Sequence, residues 1–494
     1  MNDIPTEGRR SDRRRGRKRS KKAAVGITAG AVAIVLAGYA VVDAYDVVPG
    51  LPGILTTDPA IEVQALPSPT AAGKDVPAPA SAVDDTAPVP TKIPDEVKRI
   101  LSDAKVKDFG IEVRDGLSDD VLYSKDQNDP RTPASVTKVF TASAALLSIG
   151  GQKRLSTTTE FDPSTSTVTL TGGGDSLLGA GESQPGAVNG HAGLKTLAQE
   201  TAQSLKSKDI AEVALKLDMS RYSGEDFSSG WDRADIAKGV ITPIQPLMID
   251  TGYVGSKDKE WRGRSEHPGK DAFSTFAKEL KAAGITVTDA PPGPAGDSGS
   301  SGESGESGDS LASVESATIS EIVEYALVHS DNVVAEVLGN EVAIAEGQPG
   351  SLENGPKAVL SALSDSLDIG QTKLVDTSGL SYDNQISPHD LTTVLQASVV
   401  ADDSLSSLIS YFPVGGLTGT LTDRFTQDGN ATGTVHAKTG TLSTVTSLAG
   451  GVLDADGRYL VFALQIDDVD KDKILEARKT VDDIVTALAG CGCR

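Results

Sequence analysis

Apolar positions along the chain follow three patterns, and each predicts a different element. From Ala23 to Val42 the sequence AAVGITAGAVAIVLAGYAVV runs twenty residues without a charge, about the length a helix needs to cross a hydrocarbon core. In ASVTKVFTASAALL, Val136, Val139, Phe140, Leu146 and Leu147 are spaced to bury one side of a helix. EYALVHSDNVVAEVLGNEV reads as two apolar helices broken by Ser330, Asp331 and Asn332, and GTVHAKTGTLSTVTSLAGGV alternates β-branched residues as a strand does. Two stretches have no period. Residues 43–92 are rich in Pro and Ala and predict an extended, semi-stiff stalk, whereas PPGPAGDSGSSGESGESGDS at 291–310 predicts a flexible loop. Its place inside the chain points to an insertion in the main domain.

Composition narrows the class. With 494 residues and 38% hydrophobic content, the chain can bury one large core or two to three ordinary ones. The net charge of -23 hides an asymmetry: residues 1–22 hold ten Lys/Arg against three acids, and the remainder 36 against 66. So acidic a body has no basic face for nucleic acid, which is excluded as the main partner. A basic cluster ahead of an apolar run predicts a cytoplasmic N-terminus and an exported remainder. The run is either a retained anchor in the cell membrane or a signal peptide cut near Ala40, leaving a secreted protein. Its length exceeds a typical signal core and favours the anchor. Cys491 and Cys493 cannot staple the body of an exported domain. Neither they nor His191, His267, His329, His389 and His436 form a metal-ligand pattern, so no cofactor or metal is expected.

Candidate chemistry begins at Ser135 and Lys138, one turn apart at a helix start. A serine there often merely caps the helix. A desolvated lysine beside it can instead lose its proton and activate the hydroxyl. The spacing is weak alone, because Ser102 with Lys105 and Ser256 with Lys259 repeat it in polar settings that read as surface. Ser330 and Asn332 read either as a polar loop between helices or as a proton-relaying hydroxyl and a substrate-orienting amide. Lys438, Thr439 and Gly440 read either as an edge strand guarded by a lysine or as a carboxylate-holding pair, with a glycine that lets substrate backbone lie close.

Ser-x-x-Lys, Ser-Asp-Asn and Lys-Thr-Gly, in that order, are the signature set of penicillin-binding proteins and serine β-lactamases. Over roughly residues 95–490 the chain resembles the D-alanyl-D-alanine carboxypeptidase/endopeptidase family, the class C low-molecular-mass penicillin-binding proteins of the penicillin-binding protein 4 type. Ser135 and Ser330 lie 195 residues apart, and LTGGGDSLL at 170–178, SSGWDRADIAKGVITPIQPLMID at 228–250 and VDTSGLSYDNQISPHDL at 375–391 are similar to family segments.

The resemblance implies a mixed α/β (α+β) fold: a transpeptidase-like domain with an antiparallel sheet flanked by helices, plus inserted smaller domains. The expected division is a basic cytoplasmic tail at 1–22, the anchor or signal at 23–42, the stalk at 43–92, and the catalytic domain in two parts at 93–171 and 311–494. Between these parts lie the insert at 172–290 and the loop at 291–310. It further implies that Ser135 attacks the peptide bond between two D-alanines of a peptidoglycan stem peptide, with Lys138 as base, and that β-lactam antibiotics acylate it. Ser330 would relay a proton to the leaving amine, Asn332 hold the acyl chain, Lys438 and Thr439 bind the terminal carboxylate, and the N–H groups of Ser135 and Thr441 form the oxyanion hole. No glutamate is assigned to deacylation, so Lys138 serves again and a bound penicillin leaves slowly. Two other readings use the same motifs: a serine β-lactamase or esterase, and a catalytically silent wall-binding module. The balance of carboxypeptidase and endopeptidase action, the oligomeric state, cleavage of the N-terminal helix and the role of the two cysteines are left open by sequence.

Overall fold

The most apolar strands come from the end of the chain, VTSLAGGVL and YLVFALQI, and lie side by side inside a sheet. The computed structural model describes residues 92–105, 108–255, 262–288, 308–370, 372–400, 404–427 and 429–491. The expected tail, membrane segment and nearly all of the stalk lie outside the described residues, as does most of the Gly/Ser loop. Among the described residues no helix is long and apolar enough to cross a membrane.

The strands in chain order are β1 (Gly110–Asp115), β2 (Val121–Lys125), β3 (Ser156–Asp162), β4 (Thr167–Thr171), β5 (Asp175–Leu178), β6 (Glu212–Asp218), β7 (Leu247–Ile249), β8 (Thr286–Thr288), β9 (Asp309–Glu315), β10 (Val435–Leu442), β11 (Val445–Leu453) and β12 (Tyr459–Ile466). The helices are α1 (Ile93–Asp103), α2 (Lys138–Ala144), α3 (Leu194–Ser207), α4 (Ala234–Ala237), α5 (Pro268–Ala282), α6 (Ile319–His329), α7 (Asn332–Ala345), α8 (Asn354–Ser364), α9 (Pro388–Val400) and α10 (Ile474–Gly490).

The first sheet has the order β10-β11-β12-β1-β2, with every neighbour antiparallel. Leu460, Phe462 and Leu464 of β12 join Val97 of α1 and Val481, Ile484 and Val485 of α10 on one side. Val461 and Ala463 join α2 and α6–α9 on the other. Strands covered on both faces need apolar residues at successive positions, which is why β11 and β12 read as runs. The buried positions of α10 recur every three or four residues, from Ala477 to Leu488, the pattern of a helix with one face on a core. Burying a side chain of this kind stabilises by about 1.5–3 kcal/mol.

A second sheet, β8-β6-β4-β3-β9, is mixed. β3 pairs antiparallel with β4 and β9, whereas β4–β6 and β6–β8 are parallel. Its core takes Leu197, Ala198 and Leu205 from α3 and Phe276 and Leu280 from α5. This sheet includes residues 156–171 and 309–315, which the divisions at 171 and 311 assign mainly to the catalytic parts. Alternation in TVTLT predicts a strand, but pairing partners, far away in sequence, decide which sheet it joins.

The α2 helix also differs from its one-sided expectation, since every residue from Lys138 to Ala144 is buried. Its polar members are satisfied inside. Thr141 Oγ1 donates to the Thr377 carbonyl at 2.6 Å and Ser143 Oγ to the Val139 carbonyl at 2.8 Å.

Candidate active site

Pro133 leads into a left-handed Ala134 (φ 52°) and a 3-10 turn, Ala134–Thr137, before α2 begins at Lys138. Ser135 sits in that turn, inside it rather than at its N-cap, which is Pro133. Lys138 Nζ lies 3.0 Å from Ser135 Oγ, 2.7 Å from Asn332 Oδ1 and 2.6 Å from the Ser378 carbonyl oxygen. Neither the amide oxygen nor the carbonyl can donate a proton. In the neutral amine they therefore occupy both N–H groups, and the lone pair is left for the Ser135 hydroxyl. Burial lowers the Lys138 pKa to about 8, with the carboxylates of Asp331, Asp376 and Glu336 pulling it back upward. Ser102 and Lys105, at the end of α1, behave differently: Ser102 Oγ donates to the Arg99 carbonyl, and Lys105 is exposed and paired with Glu476. Lys259 lies outside the described residues.

Ser330 is the left-handed residue (φ 53°) at which α6 stops. Asp331 then caps α7, accepting from the N–H groups of Val333 and Val334. Its second oxygen meets the Arg264 guanidinium at 3.0 Å, with both side chains buried. Burial opposes the Asp331 charge, but Arg264 and the helix N–H groups keep its pKa below the usual carboxylate value. Arg264 also donates to the carbonyls of Gly239 and Thr251. Asn332 is held at both ends of its amide, accepting from Lys138 and donating Nδ2–H to the Val240 carbonyl at 3.1 Å. The segment around 231–265 thus grips the corner that carries Ser330 and Asn332. Arg264→Ala strands the buried Asp331 charge and is expected to cost about 3–5 kcal/mol. Urea denaturation measures it, and an unchanged midpoint would contradict the grip.

β10 brings the third motif alongside. It is an edge strand, yet Lys438 is fully buried, donating to Ser330 Oγ at 2.9 Å and to the Thr439 carbonyl at 2.8 Å. Burial, and next the charges of Lys138 and Arg424, push its pKa well below the ordinary lysine value. Thr439 Oγ1 donates to Thr420 Oγ1 at 2.9 Å. At Gly440 a Cβ would meet Ser447 Oγ at 2.1 Å and the Pro133 carbonyl at 2.5 Å. The room this glycine leaves is filled by the turn bearing Ser135 and by β11. Gly440→Ala is accordingly expected to shift that turn and slow penicillin acylation at least about tenfold, read by the time course of fluorescent labelling. Unchanged kinetics would mean the turn tolerates the methyl group.

Ser135, Ser330, Thr439 and Thr441 face one cavity of about 250 Å³, with Thr420, Arg424 and Arg478 completing its wall. A larger groove of about 1110 Å³ runs between α1 and α10 but gathers none of the motif residues.

The D-Ala-D-Ala carboxypeptidase 3 (S13) family matches residues 94–264 and 255–488. The chain is 33% identical over 490 residues to carboxypeptidase DacB of Mycolicibacterium smegmatis, covering 96% of this chain and 98% of that protein. It belongs to the S13 peptidase family. A carboxypeptidase of Mycobacterium tuberculosis is 32% identical over 422 residues, covering 83% of this chain and 87% of its own length. In fold, this S13 peptidase is similar to penicillin binding protein 4 from Haemophilus influenzae, with a TM-score of 0.62 at 20% identity over 79% of this chain and 98% of that one.

Several residues around the site of this S13 chain carry no local signal. Ser378, whose carbonyl holds Lys138, lies in the Gly-Leu-Ser segment, and the segment is pinned from below. Glu336 of α7 accepts from the N–H of Ser378 at 2.8 Å and from Thr377 Oγ1 at 2.9 Å. Asp376 accepts from Trp231 Nε1 at 3.0 Å and from the N–H groups of Gly379 and Ser381. Burial raises the Glu336 pKa, and the neighbouring Asp376 charge raises it further. The similarity of residues 228–250 and 375–391 to family segments was the available hint. What it withheld is that Trp231 of the first bonds Asp376 of the second.

Proposed function

We propose that this protein is a serine D,D-peptidase that cleaves the D-alanyl-D-alanine end of peptidoglycan stem peptides through an acyl-enzyme on Ser135. The observation that carries the reading is the Lys138 amine, fully buried and held by two pure acceptors so that its lone pair meets Ser135 Oγ. Lys138 takes the Ser135 proton as Oγ attacks the carbonyl, and the N–H groups of Ser135 and Thr441 stabilise the oxyanion, each worth about 3 kcal/mol. The proton taken by Lys138 passes through the Ser330 hydroxyl to the leaving amine, which returns Lys138 to its neutral form, while Lys438 holds that hydroxyl in place. Water entering after the departed D-alanine gives a proton to Lys138 as it attacks the ester carbonyl, and that proton goes back to Ser135 Oγ as the shortened peptide leaves. Asn332 orients the acyl chain, and Thr439 lies on the leaving-group side. A β-lactam follows the same first step, but its amine stays tethered and the acyl-enzyme persists.

The basic flank and uncharged run before Val42 support a domain held outside the cell membrane by 23–42, on the stalk at 43–92. The insert at 172–290 contributes β6, β8, α3 and α5 to the second sheet and its core, and its segment 231–265 supports the catalytic corner. Fluorescent penicillin labelling of the soluble fragment from residue 93, with the adduct located by mass spectrometry and D-alanine release from a pentapeptide followed in parallel, tests the reading. An adduct on Ser135 with D-alanine release is expected. Rapid hydrolysis of the penicillin would favour the β-lactamase reading, and absence of both adduct and release the silent binding module.

A further inference from the structure

The β10–β11 hairpin carries Thr441 next to its tip, and the tip does little to hold itself. Leu442 pairs with Val445, leaving Ser443 and Thr444 as a two-residue turn. The favoured turns of that length need a positive φ at the first residue or at both, and neither Ser443 nor Thr444 has one. Residues 441–444 are exposed or half-buried, so the core of the sheet does not grip them. Outside contacts therefore set the position of the tip. From beyond β12 the Val469 N–H donates to the Thr444 carbonyl at 3.0 Å. Tyr382 supplies two more: its Oη accepts from the Ser443 N–H at 3.1 Å and lies 2.7 Å from Ser443 Oγ.

The Tyr382 ring is 46% exposed, so it contributes little to any core, and its hydroxyl is the part with fixed partners. The backbone that carries it is held firmly. Thr132 Oγ1 donates to the Tyr382 carbonyl at 3.2 Å. Asn384, fully buried, donates to Asp376 Oδ1 at 2.7 Å and to the Ser381 carbonyl at 3.1 Å, and accepts from the Val375 N–H at 2.8 Å. Thr132 lies three residues before Ser135, and Ser378 of the same loop as Tyr382 holds Lys138. One tyrosine thus links the approach to the nucleophile, the loop behind its base and the strand that bears Thr441. We propose that Tyr382 is a positioning residue for acylation, its hydroxyl fixing the hairpin tip so that the Thr441 N–H meets the oxyanion. The inference rests on the peptidase reading and on the role given there to Thr441. Oxyanion donors work by being in place before charge develops, and a shift of about 1 Å can cost about 10²-fold in rate. A latch that must open would give the opposite sign, and a wall that only contacts substrate would change binding alone.

Full-length wild type, Tyr382→Phe, Ser443→Ala and the double variant are compared, each with its Tm. Single-turnover acylation by a fluorescent penicillin is resolved into a maximum rate and a half-saturating concentration as a function of pH, with D-alanine release from a pentapeptide followed in parallel. Tyr382→Phe is expected to lower the maximum rate at least about tenfold, with less than about a twofold change in half-saturating concentration and an unchanged Tm. The rise of the rate with pH through about 8 should stay in place, because the contacts of Lys138 with Ser135, Asn332 and Ser378 do not involve Tyr382. Ser443→Ala leaves the backbone N–H to Tyr382 and should lose less, and adding it to Tyr382→Phe should change little further. Unchanged or faster acylation in Tyr382→Phe, a change confined to the half-saturating concentration, or a rate falling only in proportion to the folded fraction would each overturn the positioning role and leave the peptidase reading standing. Wild type with neither adduct nor D-alanine release would sink both.

Discussion

Ser135→Ala is expected to abolish both the covalent penicillin adduct and D-alanine release, a loss of about 10³-fold or more, while the folded structure survives. Survival follows from how little the hydroxyl holds together. Ser135 Oγ has one side-chain partner, Lys138, and that amine keeps Asn332 Oδ1 and the Ser378 carbonyl when the serine is gone. A single hydrogen bond of this kind is worth about 1 kcal/mol net, so the urea midpoint should move little. Chemistry fails for a different reason: among the described residues no other hydroxyl sits against the Lys138 lone pair. Ser330 also faces the cavity, but its partner is Lys438 at 2.9 Å. A band of wild-type strength in Ser135→Ala, mapped to Ser330, would exchange the two roles.

Local signals in the sequence were sufficient where the physics is local. The helix that begins at Lys138 and the strand through Lys438–Gly440 can be read from neighbouring residues. So can the break at Ser330, because a short polar run between two apolar helices has few other uses. The edge position of β10 was one of two readings of its sequence, but a lysine guarding that edge would stand in solvent, and Lys438 is fully buried instead. The reason is nonlocal, since Ser330, 108 residues earlier, supplies its acceptor. Arg264 with Asp331 and Trp231 with Asp376 are likewise pairs across 67 and 145 residues. No periodicity encodes such a pair. Gly440 illustrates the same limit: the residue type signals close approach, but only the fold identifies the Pro133 carbonyl and Ser447 as what approaches. The family segments at 228–250 and 375–391 marked the right stretches without saying that they meet beneath Lys138.

Lys138→Met is expected to slow acylation by about 10³-fold, within the range for a lost general base, and to remove its pH dependence. The wild-type sign follows from the amine. Lys138 is a base only when neutral, and burial places its pKa at about 8. Acylation should therefore rise with pH through about 8 and level above it, with roughly a tenth of the plateau rate left one pH unit below the pKa. The three carboxylates that oppose burial tune this position, and Arg264 neutralises one of them. Arg264→Ala, in whatever fraction stays folded, should thus move the rise to higher pH, because an unpaired Asp331 charge favours the ammonium form. The slope matters because Lys138→Met also orphans the Ser378 carbonyl and Asn332 Oδ1, which costs stability. A rate lowered merely through partial unfolding would keep its rise centred near pH 8; a rate lowered through loss of the base is flat there. Single-turnover labelling from pH 6 to 10, normalised to the folded fraction, separates the two, and a persistent rise near 8 would assign the base to another group.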